Sequence, residues 1–162
     1  MLEITIKASG DYTALLQHIK PGGRVLVDGP HGKFTLQPAA SQPLLMIAGG
    51  VGITPLYSML QAVSSDQPIT LIYGCKSERD KLFRSQLDEL AKTNNLEIKY
   101  VYSNPKVGPG QYIDSSILKQ VKELNNRQIF LCGPVPMMDS VTTELLQLGV
   151  NQQNIHSERF DY

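Results

Sequence analysis

A chain of 162 residues, 41% hydrophobic and 19% charged, is long enough for one domain with a full core, or for one domain and a fragment. Its 15 basic and 15 acidic residues cancel, so there is no net positive field of the kind that draws nucleic acid or an anionic membrane. Two cysteines, Cys75 and Cys132, exclude a small secreted disulfide framework and a four-thiolate iron–sulfur cluster within the chain, and a reduced, cytoplasmic setting fits best.

Leu2, Ile4 and Ile6 alternate with polar residues as a strand would, and no basic flank marks a signal peptide. Gly10-Asp11-Tyr12-Thr13 opens a short amphipathic helix with Leu15, Leu16 and Ile19 on one face. Pro21-Gly22-Gly23 turns the chain into a strand at Arg24–Val27, and Gly29-Pro30-His31-Gly32 turns it into Phe34-Thr35-Leu36. Strands this short and close suit an antiparallel barrel, and these are too few to close one. Residues 1–40 are therefore predicted to be the C-terminal remnant of a β-barrel domain that begins upstream, ending in a linker over Gln37–Gln42.

Residues 41–162 read as a second domain. Strands are predicted at Leu44–Ala48, Ile69–Tyr73, Leu96–Tyr102, Gln128–Cys132 and Ile155–Glu158. Helices are predicted between them at Thr54–Val63, Arg79–Lys92, Ser115–Leu124 and Pro136–Leu148. Such alternation predicts an α/β fold with a doubly wound, mostly parallel five-stranded sheet covered on both faces. No apolar run approaches the roughly 20 residues needed to span a bilayer.

The first strand hands over to its helix through Gly49-Gly50-Val51-Gly52-Ile53-Thr54-Pro55. Ligands of open α/β sheets bind beyond the carboxyl ends of strands. Glycines there let backbone approach a pyrophosphate, and the amides of the helix start attract its charge. Thr54 is placed to cap the helix, and Pro55 suits its first turn. A tight glycine-rich turn needing no ligand would use some of the same residues. Pro55 stands where the common Gly-x-Gly-x-x-Gly dinucleotide motif has its third glycine, and no Gly-Lys-Ser/Thr follows, which counts against nucleotide hydrolysis. His18, His31 and His156 lack ligand-like spacing, so no metal site is expected.

Taken in order, Gly49–Pro55, then Tyr73-Gly74, then Cys132-Gly133-Pro134 resemble the strand-end motifs of the ferredoxin–NADP reductase superfamily. Gly29-Pro30-His31-Gly32-Lys33-Phe34 resembles the turn that ends that family's flavin barrel. The resemblance implies an NAD(P)H-binding part of a flavin-dependent oxidoreductase, which passes a hydride to FAD and then electrons to an acceptor such as ferric iron, haem or an iron–sulfur protein. The cofactors it implies are NADPH or NADH, with FAD in the parent protein. The loop holding Gly49, Gly50, Val51, Gly52, Thr54 and Pro55 would pass under the pyrophosphate. Tyr73 and Gly74 would join it at the second strand end. Cys132, as a catalytic residue, would lie near the nicotinamide, with Gly133, Pro134 and Met137 leaving room around the ring. A thiol just ahead of a helix N-terminus is also open to a lowered pKa.

Gly10 and Thr13 would face the FAD pyrophosphate, and Phe160, with Tyr162 second, would cover the flavin. Ser103 keeps half of a Ser-Arg pair that holds the extra phosphate of NADP, and Asn104 stands in the place of its Arg. Lys76 and Arg79, near the adenosine ribose, tilt the choice toward NADPH, with Glu78 between them opposing it. The branch is closest in feel to ferric reductases and NADPH oxidases. The Arg-x-Tyr-Ser/Thr motif of the flavin half is absent from residues 1–35, so this chain alone is expected to be inactive. Its partners would be the missing FAD-binding domain and an electron acceptor. A membrane would be met only through upstream segments, and the location would be cytoplasmic or the cytoplasmic side of a membrane protein. Two other readings stay open: a non-catalytic nucleotide-binding or docking module, and a doubly wound domain for another phosphate ligand.

Overall fold

Five apolar stretches form the framework: β1 (Leu44–Gly49), β2 (Ile69–Cys75), β3 (Leu96–Tyr102), β4 (Gln128–Cys132) and β5 (Ile155–Glu158). In the computed structural model, which describes residues 3–8, 10–29, 31–36, 42–106 and 110–159, they form one sheet in the order β3-β2-β1-β4-β5. Every pairing is parallel. All six residues of β1 are buried, as a central strand covered on both faces requires.

Alternation along β1 divides the core in two. Leu44, Met46 and Ala48 pack with Ile53, Leu56 and Leu60 of α2 (Ile53–Leu60) and Leu87 of α3 (Arg84–Thr93). Leu45 and Ile47 pack on the other face with Ile117 and Leu118 of α4 (Ser115–Leu118) and with Met138, Val141 and Leu145 of α5 (Val135–Gln147). Each such fully buried aliphatic side chain contributes about 1.5–3 kcal/mol of transfer free energy. The chain winds outward from β1 to β3, crosses back to β4 beside β1, and ends on β5. A topological switch point therefore opens between the C-terminal ends of β1 and β4.

All four helices predicted between the strands differ from their expected bounds; α2 stops at Leu60 instead of Val63, α5 is shifted by one residue, and the other two differ more. The predicted helix at Arg79 begins at Arg84 instead, because Phe83 takes the left-handed conformation (φ +56°) and its ring stacks on Tyr57 at 4.5 Å. Residues 76–83 are thus loop, with a short turn of 3₁₀ helix at Glu78–Asp80. The helix expected over Ser115–Leu124 stops at Leu118, and Glu123 is left-handed (φ +53°) before a second 3₁₀ turn at Leu124–Asn126.

Contacts divide the chain into two units, Met1–Lys33 and Phe34–Tyr162. The division falls ahead of the expected boundary at residue 40 because Phe34 meets Phe130 of β4 edge-on, with centroids 5.8 Å apart. The first unit contains the helix α1 (Asp11–Leu15), which runs into a 3₁₀ turn at Leu16–His18. The three short strands expected in residues 1–36 are not formed among the described residues. A strand exists only with a ladder partner, and here Ile4, Ile6, Val25, Leu26 and Val27 stand exposed.

Candidate functional site

The three sequence motifs converge at the switch point. Gly49 ends β1 and pairs with Gly74 near the end of β2, while Ala48 pairs with Cys132 at the end of β4. One side chain lies over all three strand ends. A Cβ placed on Gly49 would lie 2.6 Å from Met137 Sδ, one on Gly133 2.7 Å from Met137 Cε, and one on Gly74 3.9 Å from Met137 Sδ. Met137 is half-buried in the first turn of α5, and its thioether rests on a floor of glycine backbone.

The glycines of the first loop do different work. Gly52 is buried, and a Cβ there would run into the carbonyl of Cys132 and stand 2.7 Å from the Gly133 amide. Its absence of a side chain serves the packing of loop against strand end. Gly50 is the opposite case: it is exposed, left-handed at φ +53°, and has nothing within 4 Å of its would-be Cβ. It is the place in the loop where backbone is open to an approaching ligand.

A 3₁₀ turn at Gly50–Gly52 leads directly into α2. Gly52 occupies the cap position with no side-chain cap, so Thr54 does not cap the helix as expected. Thr54 and Pro55 instead sit half-buried in its first turn. Val51 is half-buried beside Gly50.

Tyr73, predicted to line the site, is wholly buried beneath it. Its hydroxyl donates to the Gly50 carbonyl at 3.1 Å and accepts from the Leu82 amide at 3.3 Å, tying the loop after β1 to the loop after β2. Burial pushes its phenol well above the ordinary range, so it stays protonated.

Cys132 is fully buried as well, and burial pushes its thiol up from 9.0 to about 12. This corrects the lowered pKa considered from its place before a helix: desolvation outweighs any helix-end field. Burial raises Cys75 likewise, to about 11. The unfolded chain releases these protons near pH 9 and the folded chain keeps them. Stability should therefore be full below about pH 8, and should fall as pH rises toward 11 and 12. We expect the urea midpoint to drop steadily above pH 9, and thiol reagents at pH 8 to label neither cysteine until urea unfolds the chain. Rapid labelling of Cys132 in the native protein would contradict this.

A second cluster surrounds the ends of β2 and β3. The amide of Ser103 donates to the Cys75 carbonyl at 3.0 Å and that of Asn104 to the Lys76 carbonyl at 3.1 Å, which places Ser103 next to Lys76. Glu78 gathers Lys81 at 2.8 Å, Arg84 at 2.7 Å and the Tyr102 hydroxyl. The hydrogen bond from Lys81 and that from Tyr102 hold its carboxyl below the usual range. The Lys81 ammonium also lies 3.7 Å from the centroid of the Tyr100 ring. Lys76 and Arg79 are exposed and enter no ion pair among the described residues. Sequence reasoning missed Lys81, Arg84 and Tyr102. The spacing of Glu78 and Lys81 was the one available signal, and the reach of Tyr102 across to Glu78 had none.

In the first unit, the Thr13 hydroxyl donates to the Gly10 carbonyl and accepts from the Gly10 amide, each at 3.1 Å, so both groups are engaged in closing the start of α1. Pro134 is exposed at the start of α5, where Gly133 is buried. Arg159 pairs with Asp139 of α5 at 2.6 Å, and Phe160 and Tyr162 lie outside the described residues. Among the described residues no group of three His, Cys, Asp or Glu is placed to hold a metal ion, and no helix is long and apolar enough to cross a membrane.

Residues 46–143 match the family model described as the oxidoreductase NAD-binding domain. The chain is 32% identical over 148 residues to flavohemoprotein A of Dictyostelium discoideum, covering 88% of the chain and 36% of that protein. It is 30% identical over 176 residues to ferredoxin–NADP reductase B of Sorangium cellulosum (strain So ce56), covering 99% of the chain and 71% of the relative. The crystal structure of the cytochrome b5 reductase domain of Ulva prolifera nitrate reductase superimposes with a TM-score of 0.80 at 26% identity, over 92% of this chain and 64% of that one. The chain thus spans little more than a third of the length of its flavohemoprotein relatives.

Proposed function

The chain belongs to the oxidoreductase NAD-binding domain family of the ferredoxin–NADP reductase superfamily, and from that premise we propose that it is the nicotinamide-nucleotide-binding part of a flavin-dependent oxidoreductase. The observation that carries this reading is the glycine loop at the switch point, with Gly50 left-handed, exposed and unobstructed above the end of β1. The backbone from Gly50 to Thr54 would hold the pyrophosphate, with the start of α2 facing its charge. Gly133, Pro134 and Met137 would border the nicotinamide, and Cys132 would shape the strand end from below. When bound, the nicotinamide supplies a hydride and the flavin accepts it. The chain's own residues bind and orient the nucleotide and exclude water from its floor.

Within that reading NADPH is favoured over NADH. Glu78 is occupied by Lys81 and Arg84, which leaves Lys76, next to Ser103, and Arg79, in the same loop, as exposed cations outside any ion pair among the described residues. Residues 1–33, with Gly10 and Thr13 and the exposed Ile4, Ile6, Val25 and Leu26, would complete an FAD-binding barrel supplied by sequence outside this chain. Electrons would pass on to a haem, a metal complex or an electron-transfer protein, at the cytoplasmic side of any membrane involved. Titration calorimetry with each nucleotide is the direct test. Saturable binding of NADPH, weaker for NADH, is the expected result, and no binding of either at millimolar concentration would sink the reading.

A further inference from the structure

The loop after β1 receives a side-chain hydrogen bond from a neighbouring strand: the phenol of Tyr73 reaches it from β2. We infer that Tyr73 is a positioning residue for the nucleotide loop: its hydroxyl holds the Gly50 carbonyl inward, and so turns the Val51 amide outward as a donor to a phosphate oxygen. This inference rests on the nucleotide-binding reading above and goes further in assigning a role to a residue that cannot itself touch the ligand.

A trans peptide carries its C=O and the following N–H on opposite sides. Fixing the Gly50 carbonyl toward Tyr73 therefore sets the Val51 N–H facing the other way. The Gly50 carbonyl also accepts from the Ile53 amide, the first residue of α2. Two donors on one carbonyl polarise the peptide and strengthen its N–H as a donor. The φ of +53° at Gly50 lets the chain turn sharply into the helix while this peptide stays anchored.

The anchor is well built for that task. Tyr73 is fully buried, packs its ring 6.1 Å from that of Tyr100, and accepts from the Leu82 amide. A buried hydroxyl with a donor fixed on one side has its own hydrogen directed to the other. Leu82 thus orients the hydroxyl, and the hydroxyl orients Gly50. Because burial disfavours the phenolate, the donor persists across the ordinary pH range.

The test is Tyr73→Phe in the full chain, read by amide NMR with three probes: NADPH, inorganic pyrophosphate and adenosine 2′-monophosphate. NADPH binding should weaken about tenfold, which corresponds to about 1.4 kcal/mol. The Val51 amide should lose most of its shift on addition of pyrophosphate. Affinity for adenosine 2′-monophosphate, which carries no pyrophosphate, should be unchanged. A merely structural lesion would weaken all three probes together, and that outcome overturns the inference. So does wild-type binding of pyrophosphate with the Val51 shift intact. Should the phenylalanine variant fail to fold, 4-fluorophenylalanine installed at position 73 keeps the ring and fills most of the space of the hydroxyl while removing the donor, and the same outcomes apply. Wild-type protein that binds pyrophosphate at Val51 but not NADPH would defeat the nucleotide reading and leave the role of Tyr73 in the loop standing.

Discussion

Gly52→Ala is expected to lower the unfolding free energy by about 3 kcal/mol or more, whereas Gly50→Ala, two residues away, should cost only about 1–2 kcal/mol. The difference lies in what each new methyl would meet. At Gly52 it collides with the backbone of Cys132 and Gly133, and backbone at the end of a central strand cannot step aside as a flexible side chain does. Relief would require α2 to lift from the sheet, where Ile53 and Leu56 are wholly buried. At Gly50 the methyl meets nothing within 4 Å, so the cost is that of holding an L-residue at φ +53°. Binding should order the two oppositely. Gly50→Ala, still folded but with its urea midpoint lowered by that smaller cost, should lose at least tenfold in NADPH affinity, because the added methyl narrows an open backbone approach. Urea denaturation and calorimetry on both variants check the pair. Equal stability losses would show that the loop is not packed against β4 as described.

The double variant Lys76→Ala, Arg79→Ala should raise the Kd for NADPH about 30-fold, roughly 2 kcal/mol, and change that for NADH less than about threefold. A ribose phosphate carries close to two negative charges, and exposed cations act on it through hydrogen bonds and a field that salt screens. The selectivity should accordingly shrink as ionic strength rises. Lys81 and Arg84 cannot replace the missing pair, since Glu78 holds both, and Asp80 is engaged by the Ser77 hydroxyl at 2.5 Å. Competition binding at low and high salt separates the outcomes. An equal loss for both nucleotides would place these cations elsewhere than beside the extra phosphate.

Much of the second unit was legible from local pattern. β3, β4 and β5 have the bounds read from their apolar runs, and β1 and β2 are only slightly longer. Where local reading went astray, a contact between distant residues decided the matter. The helix expected at Arg79 is delayed to Arg84 because Phe83 turns left-handed to stack on Tyr57. Phe34, read as part of a first unit ending at residue 40, groups with the second through its contact with Phe130. The strands read in residues 1–36 lack ladder partners, which alternation in one segment cannot provide.

By itself the amino-acid sequence determined a doubly wound sheet and the convergence of its strand-end motifs, because hydrophobic period and turn residues act over a few positions. Only the tertiary structure decided what each motif residue does. Gly52 is needed for packing against Cys132 and Gly50 for an open left-handed turn; Tyr73 braces the loop from beneath; Cys132 is a buried, neutral thiol; and Glu78 is spent on Lys81 and Arg84. The roles of Gly52, Tyr73 and Cys132 depend on partners far along the chain or on the depth of burial. Neither quantity is carried by spacing, so the glycine-rich loop on which the functional reading rests acquired its division of labour only on folding.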